Sequence, residues 1–525
     1  MSLVDRDEQS VEAPKQNAAP MPPRIASNPQ PPSLPTSCLQ ARAESGQALN
    51  SLHRACSMST GRSLSSPARM VGLEDVGAPP VLVPEVQPEL PAAEYERRLA
   101  ELTARVDADA IVVYADREHN ANLCFFCGFD PRFEEALLVV TRDTRSLVVA
   151  NEGLSLTTLL PVELEVLHCP SLGLMGQDRS RGLRLADAFR EAGLGAGTRV
   201  AVVGWKYFEP DEQSSSTVPI AAPAFVVDAI RDLLGAGEVL DATEVVMNPR
   251  DGLRSVSTAD QIALFEWAAS RASRAVLSIV RAAEPGVSER TAVTAMEYGG
   301  DPLSAHVMFA SGPEVAVGLR SPTDRRLELG DAATTAVGFW GGLSCRAGLI
   351  DEARPELHGH AADYLQRLAI PYWQAIVGWY EAVALGATGG EIDRRVRELL
   401  ENEDFGPALN PGHLTHLDEW VHTPIRPGST EPVRSGMCFQ CDIIPDRARP
   451  GWAANCEDTL AVADADLRAD IRERHPELWS RIETRRAFVR ETLGIAIADE
   501  ILPLSAAPAY FEPFWLSPGH ALVAR

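Results

Sequence analysis

The stretch that decides the fold is Gly436–Pro445, "GMCFQCDIIP". It contains Cys-x-x-Cys, as does "NLCFFCGFD" from Asn122, and two such motifs invite a zinc-knuckle or dithiol reading. A knuckle needs a tight turn between its cysteines, so that both sulfurs face one ion. "CFQC" and "CFFC" hold no Gly or Pro between the cysteines and are made of strand formers. On a strand successive side chains point to opposite faces, so Cys438 and Cys441 diverge and cannot share a metal. A redox dithiol normally opens a helix, whose N-terminus lowers the thiol pKa, and that setting is absent here too. Both pairs therefore read as buried structural thiols in strands.

The same alternation sets Cys438, Gln440 and Asp442 on one face. A carboxylate at the end of an apolar strand is costly unless it is paired or bound to a metal. Glu457, in "NCEDTL", sits in a similar run and is expected beside Asp442 in an antiparallel pair. Just upstream, "NPGHLTHLDEWVHTP" brings His413, His416 and His422 close together. Imidazoles and strand-borne acids are the donors that metal and acid–base sites use. Two readings stay open at this point: such a site, or a set of satisfied polar residues at a domain seam.

Working outward, residues 1–90 are rich in Pro, Ser, Ala and Gln and are expected to form a disordered tail. Met70 is a possible alternative start, because normal globular composition begins there. Residues 91–245 alternate helices and strands. Tyr95, Leu99, Leu102 and Val106 recur at helical spacing, "DAIVVYAD" reads as a buried strand, and "EALLVVTRDTRSLVVANE" reads as a hairpin turning at Asp143-Thr144. Residues 246–525 open with a long helix, for which Thr258 and Gln261 have capping-box spacing and Pro285-Gly286 supply the stop. Strands follow at "HVMFASG" and "DAATTAVGFWGGLSCRAGLI", then a helical stretch from about His360 to Glu401, then the two strands carrying the acids.

The chain has 525 residues and a formal net charge of −25, which argues against nucleic acid as a partner. No apolar run is long enough for a membrane span. Nine irregularly spaced cysteines do not make a disulfide framework, and the N-terminus shows no secretory signal, so a cytoplasmic, reducing compartment is expected.

"NLCFFCGFDPRFEEALLVV" followed by "VVANE" resembles the N-terminal domain of the creatinase, aminopeptidase P and prolidase family. "LRSVSTADQIALFEWAASRASRAV" with "EPGVSE" resembles the entry of that family's pita-bread domain, and "SGPE", "LELGD", Gly412-His413 and "SGMCFQCDIIP" fall in the family order. The resemblance runs from about residue 95 to 505. It implies an α/β (α+β) protein: a creatinase-like, ribonuclease-H-like N-terminal domain followed by a pita-bread C-terminal domain.

The family's peptidases hold two divalent metals with two Asp, one His and two Glu. Carried onto this chain, the histidine falls on His413, with His416 as the alternative, and the acids fall on Asp442 and Glu457. The two aspartates fall on Ala336 and Cys345, in a hairpin that looks shortened, and a methyl group cannot ligate. What remains is one zinc, iron or manganese ion held by His413, Asp442, Glu457 and Cys345, or no metal at all. The family's substrate-side histidine falls on Leu319. The resemblance further implies His413, His422 and Glu457 as catalytic residues, with His416 on the substrate side; Arg320 and Arg346 are read from their chemistry either as bidentate binders of a substrate carboxylate or similar anion or as members of ordinary surface ion pairs. The expected activity is hydrolysis of a C–N bond in a small peptide-like or amide substrate, by a homodimer. The alternative is a catalytically inactive pita-bread scaffold that binds a protein or ligand.

Overall fold

The computed structural model describes residues 70–525, apart from 214–217, 317, 355, 401–405 and 447. Residues 1–69 of the expected tail lie outside the described residues. The remainder of that segment does not behave as a tail throughout. Strand β1 (Val71–Asp75) pairs antiparallel with the last strand, β17 (His520–Ala524), residue for residue from Val71 opposite Ala524 to Asp75 opposite His520.

The first sheet contains β2 (Ala110–Ala115), β3 (Ala136–Thr141), β4 (Arg145–Val149), β5 (Glu165–His168), β6 (Arg199–Val203) and β7 (Glu238–Asp241). Their order is β5-β4-β3-β2-β6-β7. Strands β2 and β3 and strands β3 and β4 run antiparallel, while β2 with β6, β4 with β5, and β6 with β7 run parallel. "AIVVYA" is buried at every position because helices cover both faces. Ile111, Val113 and Ala115 feed one apolar core, and Ala110, Val112 and Tyr114 feed another. The expected hairpin turn is present at Thr141–Thr144.

The second sheet belongs to the expected pita-bread half. Its strands are β8 (Leu303–Ser311), β9 (Ala332–Phe339), β10 (Gly342–Leu349), β12 (His413–Leu414), β13 (Cys438–Cys441), β15 (Asn455–Val462) and β16 (Ile501–Pro503). They lie in the order β12-β13-β15-β10-β9-β8, with β16 against β15. A two-residue pair, β11 (Gly406–Pro407) with β14 (Pro445–Asp446), stands apart. The 24-residue helix Ala259–Ala282 packs on β9 and β10 and ends before Pro285, as its sequence implies. The expected capping box does not form: Thr258 Oγ1 has no partner, and the Gln261 side chain instead accepts a 2.7 Å hydrogen bond from buried Arg98 of the N-terminal half. The helical stretch expected from His360 to Glu401 is broken after Ala382, around Gly386 at φ +81°, and resumes at Gly389.

One reading fails outright. "CFFC" lies on a helix, Ala121–Cys127, closed by Gly128 in the left-handed region at φ 69°. Both thiols are buried; Cys124 donates to the Phe129 carbonyl and Cys127 to the Leu123 carbonyl. "CFQC" is a strand, β13, and its cysteines diverge as expected: Cys438 packs with Ala461 and Leu502, Cys441 in the large core with Trp379 and Phe439. All seven described cysteines are buried and free. The two sequence halves are continuous, since the described residues from 70 onward form one compact unit with a shared apolar core.

Candidate active site

Strand pairing builds the site. In β13 and β15, Cys441 stands opposite Asp458, so Asp442, the next residue out, comes up beside Glu457. The expected juxtaposition of those acids is therefore present. Across the sheet, Glu457 stands opposite Cys345, Cys345 opposite Ala336, and Ala336 opposite Met308. Paired residues of neighbouring strands share a face. One row thus reads Met308, Ala336, Cys345, Glu457, Asp442: three uncharged residues, then two acids.

His413 enters from the edge strand, paired with Gln440. Gly412 before it has φ +104°, and a Cβ there would lie 2.8 Å from the Gln440 carbonyl oxygen, so glycine is required to bring the histidine in. His413 Nε2 is 4.0 Å from Asp442 Oδ2 and 3.1 Å from Glu419 Oε1. One ligand atom each from His413, Glu419 and Glu457 lies within 4.8 Å of the others. Glu419 was missed in the sequence, although it stands in the quoted histidine string. It arrives because the chain turns back on itself: Leu414 N–H donates to the His422 carbonyl and Val421 N–H to the Leu414 carbonyl, folding residues 415–420 over the site. Trp420 stacks on His413 with centroids 4.1 Å apart.

Charge is unbalanced here. Burial pushes Asp442 and Glu457 to hold their protons, and neighbouring acids add to the effect, Glu419 on Asp442 and both Asp442 and Glu419 on Glu457. The Oδ1 atom of Asp442 is buried without a hydrogen-bond partner. Burial disfavours charge on His413, but Glu419 and Asp442 outweigh it and raise its pKa. Three carboxylates around one imidazole make a set that a cation would complete.

The remaining expected site residues have other occupations. Cys345 faces Glu457, but its thiol packs with Met308, Ala336 and Leu343, and burial raises its pKa strongly; Glu419 takes the place expected of it in the ligand set. Buried Arg346 is no anion receptor: it grips both oxygens of Asp458 at 3.0 and 2.9 Å and donates to the carbonyls of Cys345, Glu457, Ala507 and Tyr510. With its five donors engaged, nothing is left for substrate. Arg320 is likewise held bidentately by buried Glu289, at 2.9 and 2.8 Å. His416 is wedged between Phe125 and Phe265, ring centroids 5.3 and 4.9 Å away; burial and the nearby Arg254 and Arg98 keep it neutral. His422 is bound through Nε2 to Tyr207 Oη at 2.8 Å, and burial lowers its pKa. Beside the Leu417-Asp418 turn a cleft of about 310 Å³ opens between the two halves, lined by Arg117, Arg132, Phe133 and Trp340.

This architecture, an α/β domain followed by a curved antiparallel sheet backed by helices, is the pita-bread fold. Residues 263–464 match the model of metallopeptidase family M24. Among solved structures the chain is similar to a prolidase from Thermococcus sibiricus (17% identity, TM-score 0.55, covering 70% of this chain and 95% of that one). It is also similar to an Xaa-Pro dipeptidase from Bacillus anthracis (17%, TM-score 0.53, 71% and 96%) and to dipeptidase PepE from Mycobacterium ulcerans (23%, TM-score 0.52, 71% and 95%). A curated relative, the uncharacterized peptidase YqhT of Bacillus subtilis (strain 168), is 23% identical over 215 residues; the match spans 37% of this chain and 60% of that protein.

Proposed function

We propose that this protein is a hydrolase that cleaves a C–N bond in a small peptide-like or amide substrate, and that it works with one divalent cation. The observation that carries the reading is the convergence of His413, Glu419 and Glu457, with Asp442 beside them, inside an M24 domain. A two-metal centre does not fit, because the positions that the family's two aspartates would fill hold Ala336 and Cys345, packed with Met308 and Leu343. A single ion does fit: the donors are one imidazole nitrogen and carboxylate oxygens, one of them a buried orphan. Such a set suits zinc, iron or manganese. When bound, the ion would acidify water and polarise a carbonyl.

The protein's own residues supply the rest. His413 is fixed by the backbone of β12 and by Trp420, so its Nε2 faces the acids. Burial and the neighbouring Asp442 and Glu419 raise the pKa of Glu457, which suits it to return a proton to the leaving nitrogen. Glu419 is the most open of the three acids and, hydrogen-bonded to His413, can accept a proton from water. The relatives named as dipeptidases and prolidases support a small peptide as substrate, and a homodimer in the cytoplasm is the accompanying expectation.

Metal analysis of the purified protein tests the reading. Close to one zinc, iron or manganese per chain, lost in His413→Ala, is expected. The loss of both aspartate positions also favours a second reading, a scaffold kept for binding. No metal, and no hydrolysis across a dipeptide and amide panel, would replace the first reading with the second.

A further inference from the structure

Residues 415–420, which carry Glu419, belong to no helix or strand, so the segment depends on side-chain anchors to keep one conformation. Two of its side chains are anchored, and both anchors lead to the N-terminal half. Asp418 is ion-paired with Arg254, whose side chain is fully buried; Arg254 Nη2 donates to Asp418 Oδ1, and Nη1 donates to Asp418 Oδ2 at 3.3 Å and to Asn122 Oδ1 at 2.7 Å. Arg254 Nε is buried without a partner, so the two Nη groups make the whole attachment. Asn122 is itself fixed, because its Nδ2 donates to the Gly204 carbonyl at 2.8 Å. His416 is clamped between Phe265 and Phe125, and Phe125 stands on the same helix as Asn122, three residues on and on the same face. Glu419 follows Asp418 directly and precedes Trp420, the residue stacked on His413.

We infer that Arg254 is a positioning residue: braced by Asn122, it anchors Asp418 and thereby holds the next residue, Glu419, against His413. An anchor is needed because Glu419 shares its place with Glu457 and Asp442, and repulsion among acids favours swinging the more open carboxylate out to water. A charge-assisted fork gripping a carboxylate is strong enough to oppose that. The "NLCFFC" helix thus serves the site through Asn122 and Phe125, and its thiols take no part. The inference rests on the proposed single-cation reading only for what the held carboxylate does.

Two measurements on the full-length protein test it, neither requiring turnover. The first is amide hydrogen exchange of the metal-free protein over residues 413–422. In Asp418→Ala, protection of the Leu414 and Val421 amides, which close the turn, is expected to fall by roughly 10-fold or more, as loss of a hydrogen bond to a charged group implies. Arg254→Lys keeps the charge but lacks the fork that serves Asn122 and Asp418 together, so a smaller fall in the same segment is expected. Thermal melts of both variants check that they fold, and the lysine variant carries the test if Asp418→Ala does not. The second measurement is titration of cobalt(II) into chelator-treated protein. Affinity is expected to drop roughly 10- to 100-fold in Asp418→Ala, the range for losing a residue that orients a ligand. The double variant Asp418→Ala/Glu419→Gln is expected to bind no more weakly than Glu419→Gln alone, since both changes remove the same contact. Unchanged exchange in the folded variants, or cobalt losses that simply add, would overturn the positioning role. Lost protection in a protein that takes up no cobalt at all would leave that role standing while the single-cation reading falls.

Discussion

Strand β15 carries two acids side by side, Glu457 and Asp458, and its two faces treat them in opposite ways. Asp458 points into the core, where Arg346 holds it bidentately and the backbone N–H of Ala509 donates to it. Glu457 faces the candidate site, where its nearest charged neighbours in the ligand cluster are another acid, Glu419, and His413. Both are buried, yet one is compensated and the other is not. The difference teaches that burial alone does not mark a functional carboxylate. What marks it is burial without a cation, next to acids that share the same lack.

The comparison breaks most visibly if the compensated face is disturbed. Arg346→Ala leaves Asp458 buried and unpaired, and a cost of about 3–5 kcal/mol is expected in denaturant unfolding. A cost under about 1 kcal/mol would show that the pair is not structural. Glu457→Gln should do the reverse: hydrolysis falls by at least roughly 100-fold and metal occupancy drops, while the melting temperature holds or rises, since a strained charge is removed. A pH series sharpens the contrast. The folded-state pKa of Glu457 lies above its ordinary value, so folding takes up a proton; the stabilisation is present at acid pH and is lost as pH rises through the folded-state value. Metal-free protein is therefore expected to gain stability as pH falls through that folded-state value, with a smaller slope in Glu457→Gln. The smallest effect belongs to the thiols: Cys438→Ser and Cys441→Ser should leave hydrolysis intact, with a modest stability loss on the order of 1–2 kcal/mol from burying a hydroxyl. Loss of activity in the cysteine variants, with activity kept in Glu457→Gln, would reverse the assignment of the two faces.

How much of this was legible in the sequence depended on whether the deciding contact was local. Alternation along "CFQCD" sufficed to separate Cys438 from Cys441 and to bring Asp442 beside Glu457. It did not suffice for "CFFC", because strand-forming side chains were outvoted by tertiary packing; the Gly128 that closes that helix was the available signal. Arg346 and Arg320 could not be assigned, since a buried partner 112 or 31 residues away leaves no periodic trace. Glu419 was equally hidden, being brought to His413 by the turn after Leu414 and by no regular element. His416, within three residues of the site histidine, is turned away into aromatic packing for the same reason.

The clasp between β1 and β17 has a practical meaning. Val71 and Ala524 are neighbours in space, so the described chain is fastened end to end like a belt, with Tyr510 Oη donating to the Gly77 carbonyl just behind the buckle. A shortened chain beginning at residue 91 would strip one side of that buckle and leave the final strand with a bare, adhesive edge. Any attempt to attach a reporter near either end is better served by leaving Val71–Asp75 and His520–Ala524 paired and the belt closed.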